Sequence, residues 1–127
     1  VDRPVAGGRV SDRPARLPAG FERLEPFVDE WAIAGSALRA ARRDHSAADD
    51  RQAFYAAASD LLAPALRLLD AKPLAALDEK ERRLLDLMLT LAHVSIAVEI
   101  QTDFEPRHMA MRREMRITRS PADAPAA

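Results

Sequence analysis

The stretch DEKERRLLDLMLTLAHVSIAVEIQT, residues 78–102, decides the fold of this chain. Asp78 is a good helix N-cap, and Glu81, three positions later, completes the capping-box pattern. The residues that follow contain neither proline nor glycine, so they predict a helix over 79–102. A helical wheel gathers the polar side chains in one narrow sector. A helix that is apolar over most of its circumference is buried on several sides.

A second predicted helix precedes it, over residues 26–44. Pro26 suits a first helical turn, and Trp31 and Leu38 belong to an apolar stripe at helical spacing. Gly35 lies inside this segment, where it either costs about 1 kcal/mol relative to alanine or permits a close helix contact.

A third predicted helix begins near Ser46 and ends before Lys72–Pro73. Pro64 lies inside it, removes one backbone donor, and should kink the helix near Asp60. Three long helices joined by short turns predict an all-α fold, an up-down-up bundle. A fourth short C-terminal helix or an arm follows over residues 107–117, where the periodicity favours neither helix nor strand.

Composition limits the classes of protein that the chain can belong to. The net charge is −1 and there is no cysteine, so we expect neither nucleic-acid binding nor disulfides. No apolar run approaches the length of a membrane span, and no signal-peptide core is present, which predicts a cytoplasmic protein. Proline and glycine predict a flexible arm over 1–20 and a disordered tail over 119–127, flanking a domain over 21–118.

The apolar character of the helix predicted over 79–102 bears on oligomeric state. The other two long helices can cover only part of its circumference, so we expect a homodimer that associates through this helix. The alternative is that segment 107–117 folds back and completes a four-helix monomer.

Glu99 is the most informative polar residue, because the wheel places it opposite the polar sector, among aliphatic side chains. A carboxylate in such a setting needs a cation or hydrogen-bond donors. In an up-down-up bundle, Arg42, His45 and Tyr55 come to the same end as Glu99, which predicts a polar cluster. The cluster is either a site for a small carboxylate or phosphate or a buried ion pair that fixes helix register. A solvent-connected cavity at Glu99 would favour the site.

The segment 107–117 alternates methionine with arginine and can dock on a protein partner or an acidic surface. The residues concerned are Met111, Arg112, Met115 and Arg116. The alternative is a solvated terminal helix. The three histidines show no metal-binding spacing, and the sequence identifies no catalytic residue and no cofactor.

Three stretches, FERLEPFVDEWA, FYAAASDLLAPALRLLDAKPLAAL and RRLLDLMLTLAHVSIAVE, resemble small uncharacterised bacterial all-helical proteins. The resemblance covers residues 21–100 and depends on packing residues, and it implies a compact helical domain with no assigned catalytic residue or ligand. The sequence as a whole favours a non-catalytic, self-associating interaction module. A small-molecule-binding protein or minor enzyme with the Glu99 and Arg42 cluster as its site is the alternative.

Overall fold

The computed structural model describes residues 14–101, 105–112 and 115, and every regular element in that part is helical. The prediction of an all-α fold is therefore confirmed. The α-helices are α1 (Val28–Trp31), α2 (Ser36–His45), α3 (Ala48–Asp60), α4 (Leu62–Leu69), α5 (Glu79–Ser95) and α6 (Glu105–Arg112). A 3-10 helix, Glu22–Phe27, leads into α1, a second one, Leu74–Ala76, precedes α5, and a π-helical turn, Ile96–Gln101, continues α5.

Helix α5 is the centre of the fold. Its predicted capping box is confirmed, because Asp78 Oδ1 accepts from the Glu81 amide at 2.8 Å and Glu81 Oε1 accepts from the Asp78 amide at 2.9 Å. Four helices, α1 to α4, pack around α5, and Leu84, Leu87 and Val94 are fully buried. The simple up-down-up bundle is not confirmed, since short helices rather than two long ones surround the central helix.

The helix predicted over 26–44 is broken in the middle. Gly35 has φ of 102°, a left-handed conformation that L-residues with a Cβ rarely adopt, and it separates α1 from α2. The break changes the helical phase, so Leu38 is 62% exposed and Arg39 and Arg43 face inward. The prediction that Trp31 and Leu38 belong to one buried apolar stripe was therefore wrong at Leu38.

The kink predicted near Asp60 is confirmed. Helix α3 ends at Asp60 and α4 begins at Leu62. Pro64 has no amide proton to donate to the Asp60 carbonyl, which leaves the helical ladder open at this point. At the same place the Leu61 amide donates to the Ala58 carbonyl at 3.1 Å, three residues back rather than the four of an α-helix.

The core lies where the N-terminal segment and α3 meet α5. The Trp31 ring stacks on Phe54 with 4.8 Å between ring centroids, and both side chains are buried. Leu17 is 2% exposed and belongs to the same core, so packed structure begins before Phe21. Residues 1–13 of the predicted arm and the tail predicted over 119–127 lie outside the described residues.

Candidate functional site

An open groove of about 320 Å³ lies between α3 and α4 on one side and α5 with its π-helical turn on the other. Apolar and small side chains form most of its surface, and Tyr55 and Glu99 contribute a phenol and a carboxylate. Its lining residues are Tyr55, Ser59, Leu62, Met88, Leu91, Ala92, Ser95 and Glu99. We call it the Tyr55–Glu99 groove.

The polar end of the groove is a hydrogen-bonded pair. The Tyr55 hydroxyl donates to Glu99 Oε2 at 2.5 Å. This hydrogen bond, together with partial burial and the negative charge of Glu99, raises the pKa of Tyr55 above its ordinary value. The Tyr55 hydroxyl therefore stays protonated well past neutral pH and continues to donate its hydrogen bond to the Glu99 carboxylate.

Glu99 belongs to the π-helical turn and lies on the groove face of the helix. Met88, Ala92, Ser95 and Glu99 follow one another at three- and four-residue spacing, which aligns them on one face of the helix. From Ile96 to Gln101 the backbone changes to the wider i→i+5 pattern. Such turns are rare and often occur at functional sites.

The hydroxyl protons of the two groove serines also take part in hydrogen bonds within the protein. Ser59 Oγ donates to the Tyr55 carbonyl at 2.5 Å, and Ser95 Oγ donates to the Ala92 carbonyl at 3.0 Å. A hydroxyl has one proton and two lone pairs, so each serine still offers an acceptor. The side-chain oxygens of Tyr55, Ser59, Ser95 and Glu99 can therefore each accept a hydrogen bond from a ligand.

The structure brings together two of the four residues predicted to form a cluster. Tyr55 and Glu99 share a hydrogen bond. Glu99 is exposed, so the prediction that it faces the buried side was wrong. His45 is also exposed, and its Nδ1 lies 2.8 Å from the Ala41 carbonyl. Arg42 is half-buried, and the described part of the chain shows no contact between it and Glu99. The phase change at Gly35 explains why Arg42 does not reach this end of the groove.

Sequence reasoning missed a buried ion-pair network between α2 and α6. Arg43 donates to both oxygens of Glu105, Nη2 to Oε1 at 2.6 Å and Nε to Oε2 at 2.9 Å. Arg112 Nη2 donates to Glu105 Oε2 at 2.7 Å and to Asp44 Oδ1 at 2.6 Å. We call these four residues the α2–α6 network, and it holds α6 against α2.

The central ion pair of the α2–α6 network is buried. Arg43 and Glu105 are 4% and 2% exposed. Burial opposes ionisation of Glu105, but the hydrogen bonds and positive charges of Arg43 and Arg112 outweigh it and lower the pKa of Glu105 below its usual value. Because every charge in the network faces an opposite one, it leaves no free group for a ligand.

The predicted docking segment over 107–117 is only partly described. It is helical through Arg112, which settles the choice between helix and strand for that part. Met111 and Met115 are exposed, whereas Arg112 is engaged in the α2–α6 network. Arg116 lies outside the described residues.

Metal and membrane sites find no support in the part of the chain that the structure describes. No group of three or more histidine, aspartate or glutamate side chains there could hold a metal ion. None of the described helices has both the length and the apolar character needed to cross a bilayer.

Comparisons with known proteins identify no relative. No protein-family model, no curated protein and no solved structure matches the chain. The resemblance to small bacterial helical proteins stays a prediction, and the case for function depends on the geometry of the Tyr55–Glu99 groove.

Proposed function

We propose that this chain is a small-molecule-binding helical module and that the Tyr55–Glu99 groove is its site. One observation carries the proposal: an open apolar concavity contains a carboxylate, Glu99, at one end. Ligand pockets in proteins combine apolar walls with a few placed polar groups in this way. A cavity that opens to solvent at Glu99 distinguishes a ligand site from a sealed structural pair.

The dimensions of the groove limit its ligand. Its volume of about 320 Å³ lies at the lower end of the usual range for ligand sites. Leu62, Met88 and Leu91 supply apolar surface, against which each buried methylene of a ligand contributes about 0.8 kcal/mol. A short apolar ligand with one polar group fits both the volume and the chemistry of the groove.

The groove favours binding over catalysis. A nucleophile needs a lowered pKa or an adjacent base that takes its proton in the reaction. Tyr55 has a raised pKa, and the hydroxyls of Ser59 and Ser95 donate to backbone carbonyls of their own helices. Glu99 raises the pKa of Tyr55 and so holds its hydroxyl in the protonated form, and the partners of the two serine hydroxyls are backbone carbonyls, which are not bases; we therefore place the function in recognition.

Nuclear magnetic resonance titration with 1-hexanol tests the proposal. We expect saturable amide shifts around Tyr55, Ser59 and Leu91 in the wild-type chain. Ala92→Phe fills the groove from the α5 side and should abolish them. Ala53→Phe makes the same change at an exposed position of α3 outside the groove lining and should leave them intact. Shifts that persist in Ala92→Phe, or that scatter over the surface, would refute the proposal.

Self-association through residues 79–102 stays a second proposal. It is supported by Ile96, an aliphatic side chain of this segment that is 36% exposed beside the groove. Against it, four helices of the same chain already cover α5. Sedimentation velocity at micromolar concentration distinguishes a dimer from a monomer, since a dimer has twice the 14.0 kDa mass of the chain.

Docking of a protein partner on residues 107–117 also stays a prediction. The exposed side chains of Met111 and Met115 favour it, because methionine adapts to irregular apolar partner surfaces. Arg112 has no part in this surface, since its guanidinium pairs with Glu105 and Asp44.

A further inference from the structure

We infer that the ligand of the Tyr55–Glu99 groove carries a protonated primary amine on a short apolar body. The inference rests on the proposed function and adds the chemical class of the ligand. It replaces the carboxylate or phosphate ligand that the sequence suggests with a ligand of opposite charge.

The hydrogen bonds in the groove leave acceptors, rather than donors, for a ligand. Tyr55, Ser59 and Ser95 have already donated their hydroxyl protons to Glu99 and to two backbone carbonyls. What remains for a ligand is the free lone pairs of the carboxylate and of the hydroxyl oxygens. An ammonium group carries three donors and no acceptor, and it matches a set of acceptors.

The charge of the groove favours a cation over an anion. Among the residues that the structure describes, Glu99 is the one charged side chain in the groove lining, and no arginine, lysine or histidine of that part lines it. An anionic ligand would bring a second negative charge to Glu99 without a cation to offset it, and like charges at short range repel. Arg42, the anchor that an anionic ligand would need, lies on α2 outside the lining.

The carboxylate of the groove lies beside its apolar surface. Leu62, Met88 and Leu91 form the apolar part, while Glu99 stands at the π-helical turn at one end. A ligand that lays its alkyl chain on the apolar part reaches Glu99 with its terminal group. This arrangement suits an alkylamine better than a compact polar cation, which would leave the apolar surface uncovered.

Three probes with the same alkyl chain test the inference: hexylamine, 1-hexanol and hexanoate, each titrated at pH 7 by nuclear magnetic resonance. We expect hexylamine to bind about fivefold more tightly than 1-hexanol, the gain typical of a solvent-accessible ion pair. Hexanoate should bind more weakly than 1-hexanol because of its repulsion by Glu99.

Variants assign the preference to Glu99. Glu99→Gln should bring the affinity for hexylamine down to that for 1-hexanol, while Glu30→Gln, an equal change of charge on α1 outside the groove lining, should preserve the fivefold preference. Equal affinities for hexylamine and 1-hexanol in the wild-type chain, or a preference that survives Glu99→Gln, would overturn the inference and leave the proposed function standing. Failure of all three probes to bind would overturn the proposed function itself.

Discussion

Glu99 and Glu105 lie close together along the chain, yet their surroundings differ in every respect. Glu99 is exposed at the groove and accepts one hydrogen bond from Tyr55. Glu105 is buried between two arginines and has both oxygens engaged. Glu105 is thus a buried carboxylate with paired oxygens that ties two helices together, whereas Glu99 is an exposed carboxylate with free lone pairs, which we propose binds a ligand.

The largest expected difference is in stability. Glu105→Gln leaves the buried guanidinium of Arg43 without its counter-charge and should lower the free energy of unfolding by about 3 kcal/mol at pH 7. Glu99→Gln removes one exposed acceptor and should change it by about 0.5 kcal/mol or less. Urea denaturation followed by Trp31 emission measures both variants.

Acid should remove the difference between wild type and Glu105→Gln. The pKa of Glu105 is lower in the folded chain than its ordinary value of 4.5. Its contribution is therefore complete above pH 4.5 and is lost as the pH falls through the pKa of the folded state. If the two chains differ by the same amount at neutral and strongly acid pH, the charge of Glu105 is not the source of the effect.

An intermediate effect is expected on the arginine side of the network. Arg43→Ala should cost about 2 kcal/mol, since Arg112 still compensates Glu105 in part. Arg42→Ala, at the neighbouring position of α2, should cost about 0.5 kcal/mol or less. Urea denaturation again provides the measurement. Equal losses in the two variants would contradict the assigned phase of α2 after Gly35.

The smallest expected effect is spectroscopic and concerns the groove. Tyr55 is the single tyrosine of the chain, so its phenolate absorbance can be titrated without interference from another tyrosine. Its pKa is raised above 10.0 by Glu99, so the stabilisation is present below pH 10 and is lost as the pH rises through the pKa of the folded state. In Glu99→Gln the titration midpoint should move down towards 10.0. A midpoint that stays unchanged would contradict the Tyr55–Glu99 hydrogen bond.

Local sequence signals predicted the parts of the fold that depend on near neighbours. The Asp78 and Glu81 capping box is such a signal, and so is the break that Pro64 imposes at Asp60. Both follow from backbone hydrogen bonds within one helical turn, which the residue types alone determine. The meeting of Tyr55 and Glu99, 44 positions apart, was predicted from the order of the helices, although the predicted burial of Glu99 was wrong.

The parts that sequence reasoning missed depend on geometry over longer distances. The sequence predicts Gly35 inside one helix, but the first helix ends at Trp31 and Gly35, with its positive φ, is the N-cap of the next. The new helix has a different phase, so Arg43 rather than Arg42 is buried. Glu105 and Arg43 are 62 positions apart, and charged residues are usually exposed, so nothing local marked them as partners. The π-helical turn that contains Glu99 has no sequence signature, and Glu99 is exposed although the wheel placed it on the buried side.

The neighbouring residues Phe54 and Tyr55 connect the core and the groove to two separate optical signals. Phe54 stacks on the single tryptophan, Trp31, in the core, while Tyr55 lines the groove from the same turn of α3. Tryptophan emission therefore reports on the integrity of the core, and tyrosine absorbance reports on the ionisation and occupancy of the groove. A single unlabelled sample can distinguish a molecule that fills the groove from one that merely loosens the fold, because the two chromophores respond to different events.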